Sequence, residues 1–587
     1  MALRGGKRDP YGDDIYGTER RPRTGKYHDY GGRFGSGSFS VTGFIRRGGF
    51  KRMLAAAGIA VLLLLLLVLF IASKLRLIDK PKEGDKKAAL YNANPIAEEA
   101  KLLNVPASFT KLSDPAVYSV KEYMRIDGKE MDGYRRQADA DFTGTPKTVG
   151  TGPISDGKFS TTWEFSVGTA NGVTKNLDWR GRALVVTWDE LALSRTNVYE
   201  AKRSNGSLTE VIYACTDGNV YFIDLADGTP TRQAVNLKMP ITGTGAVNTD
   251  IPMFVVGTGD CTSSDKTSLT AISLLDCEVI ANFGARSNFA EKMPDEKYDF
   301  SAEPLISTDG KNLIAKGENG VIYSYAVTGD TVEGKSVVKL SQALEYTYSA
   351  EKDGKSYCSE GVAGMAGWKN YIYTGDDKGN LVCIDANTMK LVWIRNLGEK
   401  ISAAPVLEED PESGTVYVYV GTSVDREEGK HHKATVFISK LNAATGDIIW
   451  QRNYKDVYVT KRSDGGIVSP GVLGEGVLSE YIFFYIAGEG GRKHGRLLAV
   501  NKKTGGVFYS VDTRYYSLGG PAVVYSDSGS AYLVLADCDG NLFLLDAKKG
   551  DCLDTRKTGE RITTEPTVYG NTVIIGSEKK IYGIKVE

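Results

Sequence analysis

Apolar and polar positions along most of this chain fall in short bursts with the period of a strand. VIYACTDGNVYFIDLADGTP (211–230), YIYTGDDKGNLVCIDANTMKLVWIRNLG (371–398), ATVFISKLNAATGDIIWQRNY (434–454), GRLLAVNKKTGGVFYSVD (495–512) and YLVLADCDGNLFLLDAKKGDC (532–552) share one layout. An apolar strand leads to a tight turn, often D-G or G-N. A second strand ends in Asp or Asn, and a short polar turn leads into a third strand. Weaker copies occupy 253–280, 312–330 and 572–587. One anchor position runs through all eight copies: Asp224, Ser273, Tyr325, Asp385, Asn442, Asn501, Asp546 and Lys585, in steps of 39 to 60 residues. Such spacing suits four-stranded propeller blades with variable loops. A fourth strand precedes each copy, as in SAAPVLEED (402–410) and GGPAVVYSDS (519–528). The last copy stops at Glu587 after its third strand. FSTTWEFSVG (159–168), similar to KLVWIRNLG (390–398), is expected to complete that blade. Pairing the chain ends in this way leaves no open sheet edge at the seam. The count is eight blades, with seven as the second choice because some copies are weak.

DANTMKLVW (385–393) and NAATGDIIW (442–450) resemble the quinoprotein-type (PQQ-like) repeat, with an acidic or amide residue, a T-G-like turn and a Trp. The resemblance covers roughly residues 159–587 and implies an all-β, eight-bladed β-propeller. It also implies that Trp163, Trp393 and Trp450 pack between adjacent blades. Tyr509 lies near the Trp position in the sixth blade and Thr555 in the seventh. The family includes pyrroloquinoline-quinone dehydrogenases and non-enzymatic scaffold propellers resembling the assembly factor of the bacterial outer-membrane barrel machine.

The chain upstream is different. Met53 to Ser73 (MLAAAGIAVLLLLLLVLFIAS) carries no charge, and its length at about 1.5 Å per residue spans a bilayer core of about 30 Å. It is too long for a signal-peptide core and ends in Phe70, Ile71, Ala72, Ser73, a poor cleavage site; no Cys precedes Cys215 to accept a lipid. It is read as a retained transmembrane helix, anchoring the protein in the lipid bilayer. Residues 1–52 hold twelve Lys or Arg against five Asp or Glu, although the whole chain has a net charge of −1. That excess favours a cytoplasmic N-terminus with the propeller outside. The tail has no apolar periodicity and reads as disordered, with Tyr11, Tyr16, Tyr27 and Tyr30 as modification candidates. Residues 74–158 lack the repeat and read as a stalk and irregular juxtamembrane segment, with the stalk at Lys80 to Lys87 and the rest, through MRIDGKEMDGYRRQADADFTG, either packing on the propeller or forming a flexible arm. The near-neutral charge excludes a strongly basic nucleic-acid binder.

Candidate chemistry is sparse. Asp224, Asp385, Asn442, Asn501 and Asp546 have a sufficient role as turn-formers, since Asx side chains bond nearby backbone groups. Asp537-Cys538-Asp539-Gly540 and Asp376-Asp377-Lys378-Gly379 faintly resemble calcium loops but lack the full ligand run. His431-His432, beside Asp425, Glu427 and Glu428, is a metal candidate in a polar loop, and His494 is a lone His of the same kind. The family's dehydrogenases hold quinone and calcium in the central funnel and often have a Cys-Cys dipeptide, which this chain lacks. Cys261/Cys277 and Cys538/Cys552 should not bridge, because each pair spans the two ends of one strand, roughly 15–20 Å apart. The sequence therefore supports no catalytic, cofactor or metal site. It points to a non-catalytic scaffold for other envelope proteins in assembly or secretion. The alternatives are a membrane-bound PQQ-dependent dehydrogenase and a sensor of wall glycans or small ligands.

Overall fold

The computed structural model describes residues 119–587, apart from 127–128, 131–135, 137–139, 144–148, 169–180, 205, 260–268, 284–298, 333–334, 342, 353–354, 359, 426–431 and 460–463. The apolar stretch 53–73 and the basic tail lie outside the described residues. Among the described residues no helix is long and apolar enough to cross a membrane.

Eight antiparallel blades follow one another along the chain, each running A to D in strand order. Blade 1 is Leu184–Trp188, Leu208–Ala214, Asn219–Asp224 and Val235–Asn236; blade 2 is Ala246–Asn248, Met253–Gly257, Leu269–Ser273 and Val279–Phe283. Blade 3 is Leu305–Ile306, Asn312–Lys316, Ile322–Val332 and Leu344–Lys352; blade 4 is Met365–Trp368, Tyr371–Gly375, Asn380–Asp385 and Lys390–Asn396. Blade 5 is Val406–Glu409, Val416–Gly421, His432–Asn442 and Ile448–Val459; blade 6 is Val472–Leu473, Tyr481–Ala487, Gly495–Asn501 and Val507–Thr513. Blade 7 is Pro521–Ser526, Ala531–Ala536, Asn541–Asp546 and Cys552–Lys557. Blade 8 takes Thr567–Tyr569, Thr572–Gly576 and Lys580–Val586 from the C-terminus and its outer strand, Phe159–Ser166, from the other end of the ring. The eight-bladed count and the closing strand expected from the sequence are both present.

Burial follows position within a blade. Strand B is covered on both faces by its neighbours, so Met253–Gly257, Tyr371–Gly375 and Thr572–Gly576 are buried throughout. Outer strands alternate instead, as in Val507–Thr513 and Cys552–Lys557, because one face meets water.

The anchor residues form one register. Each pairs with the first or near-first residue of strand B: Glu210 with Asp224, Tyr371 with Asp385, Tyr481 with Asn501, Tyr532 with Asp546 and Thr572 with Lys585. Blades 2, 4, 5, 6, 7 and 8 carry a bulge between strands C and D, at the residue before the Trp position. The extra residue turns the following side chain toward the next blade.

Propeller packing begins upstream of residue 159. Ser119–Ile126 adds a further strand to the outer edge of blade 3. Val149–Gly152 pairs in parallel with the innermost strand of blade 7, on its axial side. Backbone bonds from Phe142 to Lys369 and between Thr308 and Asp141 hold the intervening chain against blades 3 and 4. These parts of 74–158 are therefore not stalk. Their role was hidden because a lone added strand has no repeat of its own to be recognised by.

Candidate functional site

The repeat residues build one contact between blades several times over. Asn442 accepts at Oδ1 from the Ala444 backbone (2.9 Å), and its own carbonyl accepts from the Gly446 backbone (2.8 Å). Asp224, Asn501 and Asp546 make the same pair of bonds with Ala226/Gly228, Lys503/Gly505 and Lys548/Gly550. Asp385 bonds Asn387 in this way, and takes Asn370 Nδ2 and Thr388 Oγ1 as well. The side chains of these five residues are all bonded into their own turns, and Asp224 also pairs with Lys202 (2.6 Å).

Each turn leaves the carbonyl after the anchor facing the preceding blade. Trp163 Nε1 donates to Leu225 (2.7 Å), Trp393 to Ala443 (2.8 Å), Trp450 to Lys502 (3.0 Å), and the Tyr509 hydroxyl to Ala547 (2.7 Å). The ring then lies over the turn glycine. At Gly446 (φ 69°) and Gly505 (φ 69°) a Cβ would come within 2.7 Å of the facing indole. Gly228 and Gly550 repeat this under Trp163 and Tyr509. Where no aromatic ring faces the turn, the same position holds Cys277 (φ 64°) or Met389 (φ 48°). Positive φ alone does not demand glycine there; the ring does.

Eight residues beyond the anchor is the position that supplies the donor. In blade 1 it is Arg232, whose Nη1 donates to Leu274 (2.7 Å), the equivalent carbonyl of blade 2. Arg232 and Glu210 are fully buried as a pair (2.8 Å), with Trp188 Nε1 and Thr231 completing the carboxylate's bonds. In blade 7 the position is Asp554, not Thr555, and its carboxylate accepts from the Phe159 backbone (2.8 Å), the first residue of the closing strand. Tyr509 occupies the position itself. Sequence reading passed over Arg232 because it looked only for an aromatic; the constant offset from the anchor was the signal that could have found it.

The two calcium-loop candidates are hairpin turns. Asp376 accepts from the Lys378 and Asn380 backbones, from Asn380 Nδ2 and from the Tyr348 hydroxyl. Asp537 accepts from Asp539, Asn541 and Asn541 Nδ2. Burial raises both carboxyls above their usual range, against these bonds. Asp425 pairs with Lys400 (2.7 Å), which also reaches Asp377 (3.1 Å). His432 begins a strand of blade 5 and His494 is exposed in the B–C turn of blade 6; His431, Glu427 and Glu428 lie outside the described residues. No group of three or more metal-ligating side chains occurs among the described residues. No disulfide joins Cys538 to Cys552; Cys261 is outside the described residues.

Two further features mark the ends of the propeller. At the B–C end, Arg182 pairs with Glu303 of blade 3 and approaches Glu565 of blade 8 (3.6 Å), bracing three blades near the axis. Lys316 is buried there, donating to the carbonyls of Gly375 (2.6 Å) and Ala363 (3.4 Å), and burial lowers its pKa to about 8. This amine is charged more readily unfolded than folded. Its contribution to stability is therefore unfavourable below about pH 8 and is relieved as pH rises toward 10.5. Lys316→Met should accordingly raise the melting temperature most at pH 7, with the gain shrinking by pH 10. A gain that does not depend on pH would refute the buried-ammonium account.

At the other end, formed by the A–B and C–D turns, lie all the large apolar side chains that are most exposed among the described residues. They are Leu191, Tyr199, Val279, Val477, Phe508, Leu553 and Tyr569, in blades 6, 7, 8, 1 and 2. Phe508 and Leu553 are the extra residues of their bulges, pushed outward by the same irregularity that turns Tyr509 and Asp554 inward.

Residues 318–464, from blade 3 through blade 5, match the family model described as outer membrane protein assembly factor BamB. The matched stretch contains both DANTMKLVW (385–393) and NAATGDIIW (442–450), the segments that resemble the quinoprotein-type repeat. Among solved structures, BamB from Moraxella catarrhalis aligns at 16% identity over 73% of this chain and 97% of that one, with a TM-score of 0.42. The computationally designed Ika8 protein aligns at 14% identity over 64% of this chain and 93% of that one, with a TM-score of 0.40. No curated protein matches.

Proposed function

We propose that this protein is a membrane-anchored, non-catalytic BamB-type propeller that binds other envelope proteins during assembly or secretion. The observation that carries this reading is how the repeat's polar residues are used. The anchor side chains are bonded into turns, and the axial side of blade 7 is lined by the chain's own Val149–Gly152. The remaining variable surface is loops and the apolar end, which is where propellers engage proteins. The anchor itself is the stretch 53–73, with the basic tail on the cytoplasmic side and the propeller outside.

Photo-crosslinking amino acids placed at Tyr199, Val477 or Phe508 of the full chain in living cells should trap envelope proteins. Positions at the B–C end, such as Lys579, provide the comparison. Absence of protein adducts from every position would sink the scaffold reading.

The family's alternative chemistry, a quinone held with calcium on the axis, does not fit these residues. The aspartates and asparagines of the repeat and its turns already hold backbone, amide, hydroxyl or, at Asp224, lysine partners, and a strand of this chain stands on the axial side of blade 7. Micromolar binding of pyrroloquinoline quinone with calcium, accompanied by dye-linked alcohol or sugar oxidation, would reverse that judgement.

A further inference from the structure

The blade 3–4 interface is completed from outside the repeat. Its carbonyl after the anchor, Ala386, accepts from Arg136 Nη2 (3.3 Å), which also donates to Ser324 Oγ (2.8 Å). The Arg136 backbone adds a bond to Asn387 (2.8 Å). Glu122 Oε1 accepts from the Tyr346 hydroxyl (2.9 Å) and from the Leu391 backbone (2.7 Å), and so joins the outer strands of both blades. Met124 is buried in the cluster that contains Tyr346, Met389 and Leu391, and Val120 and Ile126 pack against it. At this interface the N-terminal segment does what an indole does at the next two.

That segment supplies the longest ladder to the outer strand of blade 3. Leu344–Lys352 meets its own strand C only at Leu344, Glu345 and Tyr346, and folds back onto Lys355–Cys358 from Ser349 to Lys352. From Ser119 to Ile126 the N-terminal strand pairs with every residue from Glu351 back to Leu344. Thr347 and Tyr348 add side-chain bonds to Gly320 and Asp376. On its far side, among the described residues, the added strand pairs at Arg125 and Ile126, with Glu130 and Lys129. It also precedes every blade in the chain, so it can lift without unthreading or opening the ring.

We propose that the strand Ser119–Ile126, together with the contacts of Arg136, Ala140 and Phe142, is a releasable strap over a strand-addition site. With the strap in place, the edge Leu344–Glu351 and the cluster around Tyr346, Met389 and Leu391 are covered. With the strap lifted, that edge takes an extended segment of a partner protein. The strap states the chemistry required: apolar residues in alternation, as at Val120, Met124 and Ile126, with a carboxylate at the place of Glu122 to receive Tyr346 and Leu391. A partner that grips residues 74–118, or tension on them, would expose the site.

The test uses the full chain in detergent, comparing the parent with a Met124→Asp/Arg136→Ala variant and a milder Glu122→Ala variant. Amide exchange is followed by mass spectrometry, and binding is probed with a fluorescent peptide of residues 117–128. Exchange at 344–351 should rise about tenfold or more in the double variant, with strands 481–487 and 531–536 unchanged. The peptide should bind the double variant and not the parent, with Glu122→Ala intermediate. Unchanged exchange at 344–351 in both variants would overturn the proposal. So would loss of protection in all blades, which would make the segment part of the common folding core. A freed edge that does not bind the peptide would overturn the strand-addition site.

Discussion

Truncating Trp393 or Trp450 to alanine is expected to destabilise the propeller by about 3–5 kcal/mol each, the range for removing a large buried aromatic and leaving its cavity. Both side chains are essentially inaccessible to solvent. Each loses an indole bond to a carbonyl of the next blade as well as its packing, with Tyr373 against Trp393 and Tyr419 against Trp450. The carbonyls of Ala443 and Lys502 are left with their longer bonds, from the Tyr373 hydroxyl and from Lys440 Nζ (3.2 Å each), which adds to the cost. The measurement is thermal unfolding of the two variants beside the parent. Melting temperatures within a degree of the parent would show that the indoles are not structural and would favour a role in ligand binding. The packing against glycine provides a second check. Gly505→Ala should be costly in the parent, where the new Cβ meets the Trp450 indole, and markedly less so in Trp450→Ala. Additive effects would mean that φ at residue 505, not the indole, sets the requirement for glycine.

Deleting residues 159–166 is expected to abolish cooperative folding. Phe159–Ser166 pairs along the whole of Lys580–Val586, and its Trp163 carries the blade 8–1 contact to Leu225 and Gly228. Without it the ring loses its seam. Blade 8 exposes the edge of a strand whose Ile581, Tyr582, Ile584 and Val586 are buried in the intact protein. Edges of that kind pair with other chains, so aggregation should accompany the loss. Circular dichroism and size-exclusion chromatography report the two effects separately. A monomeric variant with the parent's melting curve would refute closure by this strand. Trp163→Ala should be milder, because the strand and its ladder remain.

These expectations differ in where they could be read. The blade count, the anchor register and the closing strand follow from a local pattern repeated along the chain. Each copy carries its own strands, its own Asx turn and its own apolar alternation, and a two-residue period survives without knowledge of neighbours. Tertiary structure decided what meets across the blades. The requirement for glycine at 228, 446, 505 and 550 is set by a ring on the adjacent blade, far from the turn in sequence: Trp163, Trp393, Trp450 and Tyr509 respectively. Arg232 serves at a Trp position because Glu210 and Leu274 are brought to it, and a guanidinium can reach the same carbonyl that an indole N–H reaches. In blade 7 the same offset from Asp546 falls on Asp554, whose carboxylate meets the backbone of the closing strand at Phe159. Residues 119–152 showed no motif at all. A strand that adds to an existing edge needs only extended backbone and a few compatible side chains, so its place is fixed by the edge it joins, not by any pattern of its own.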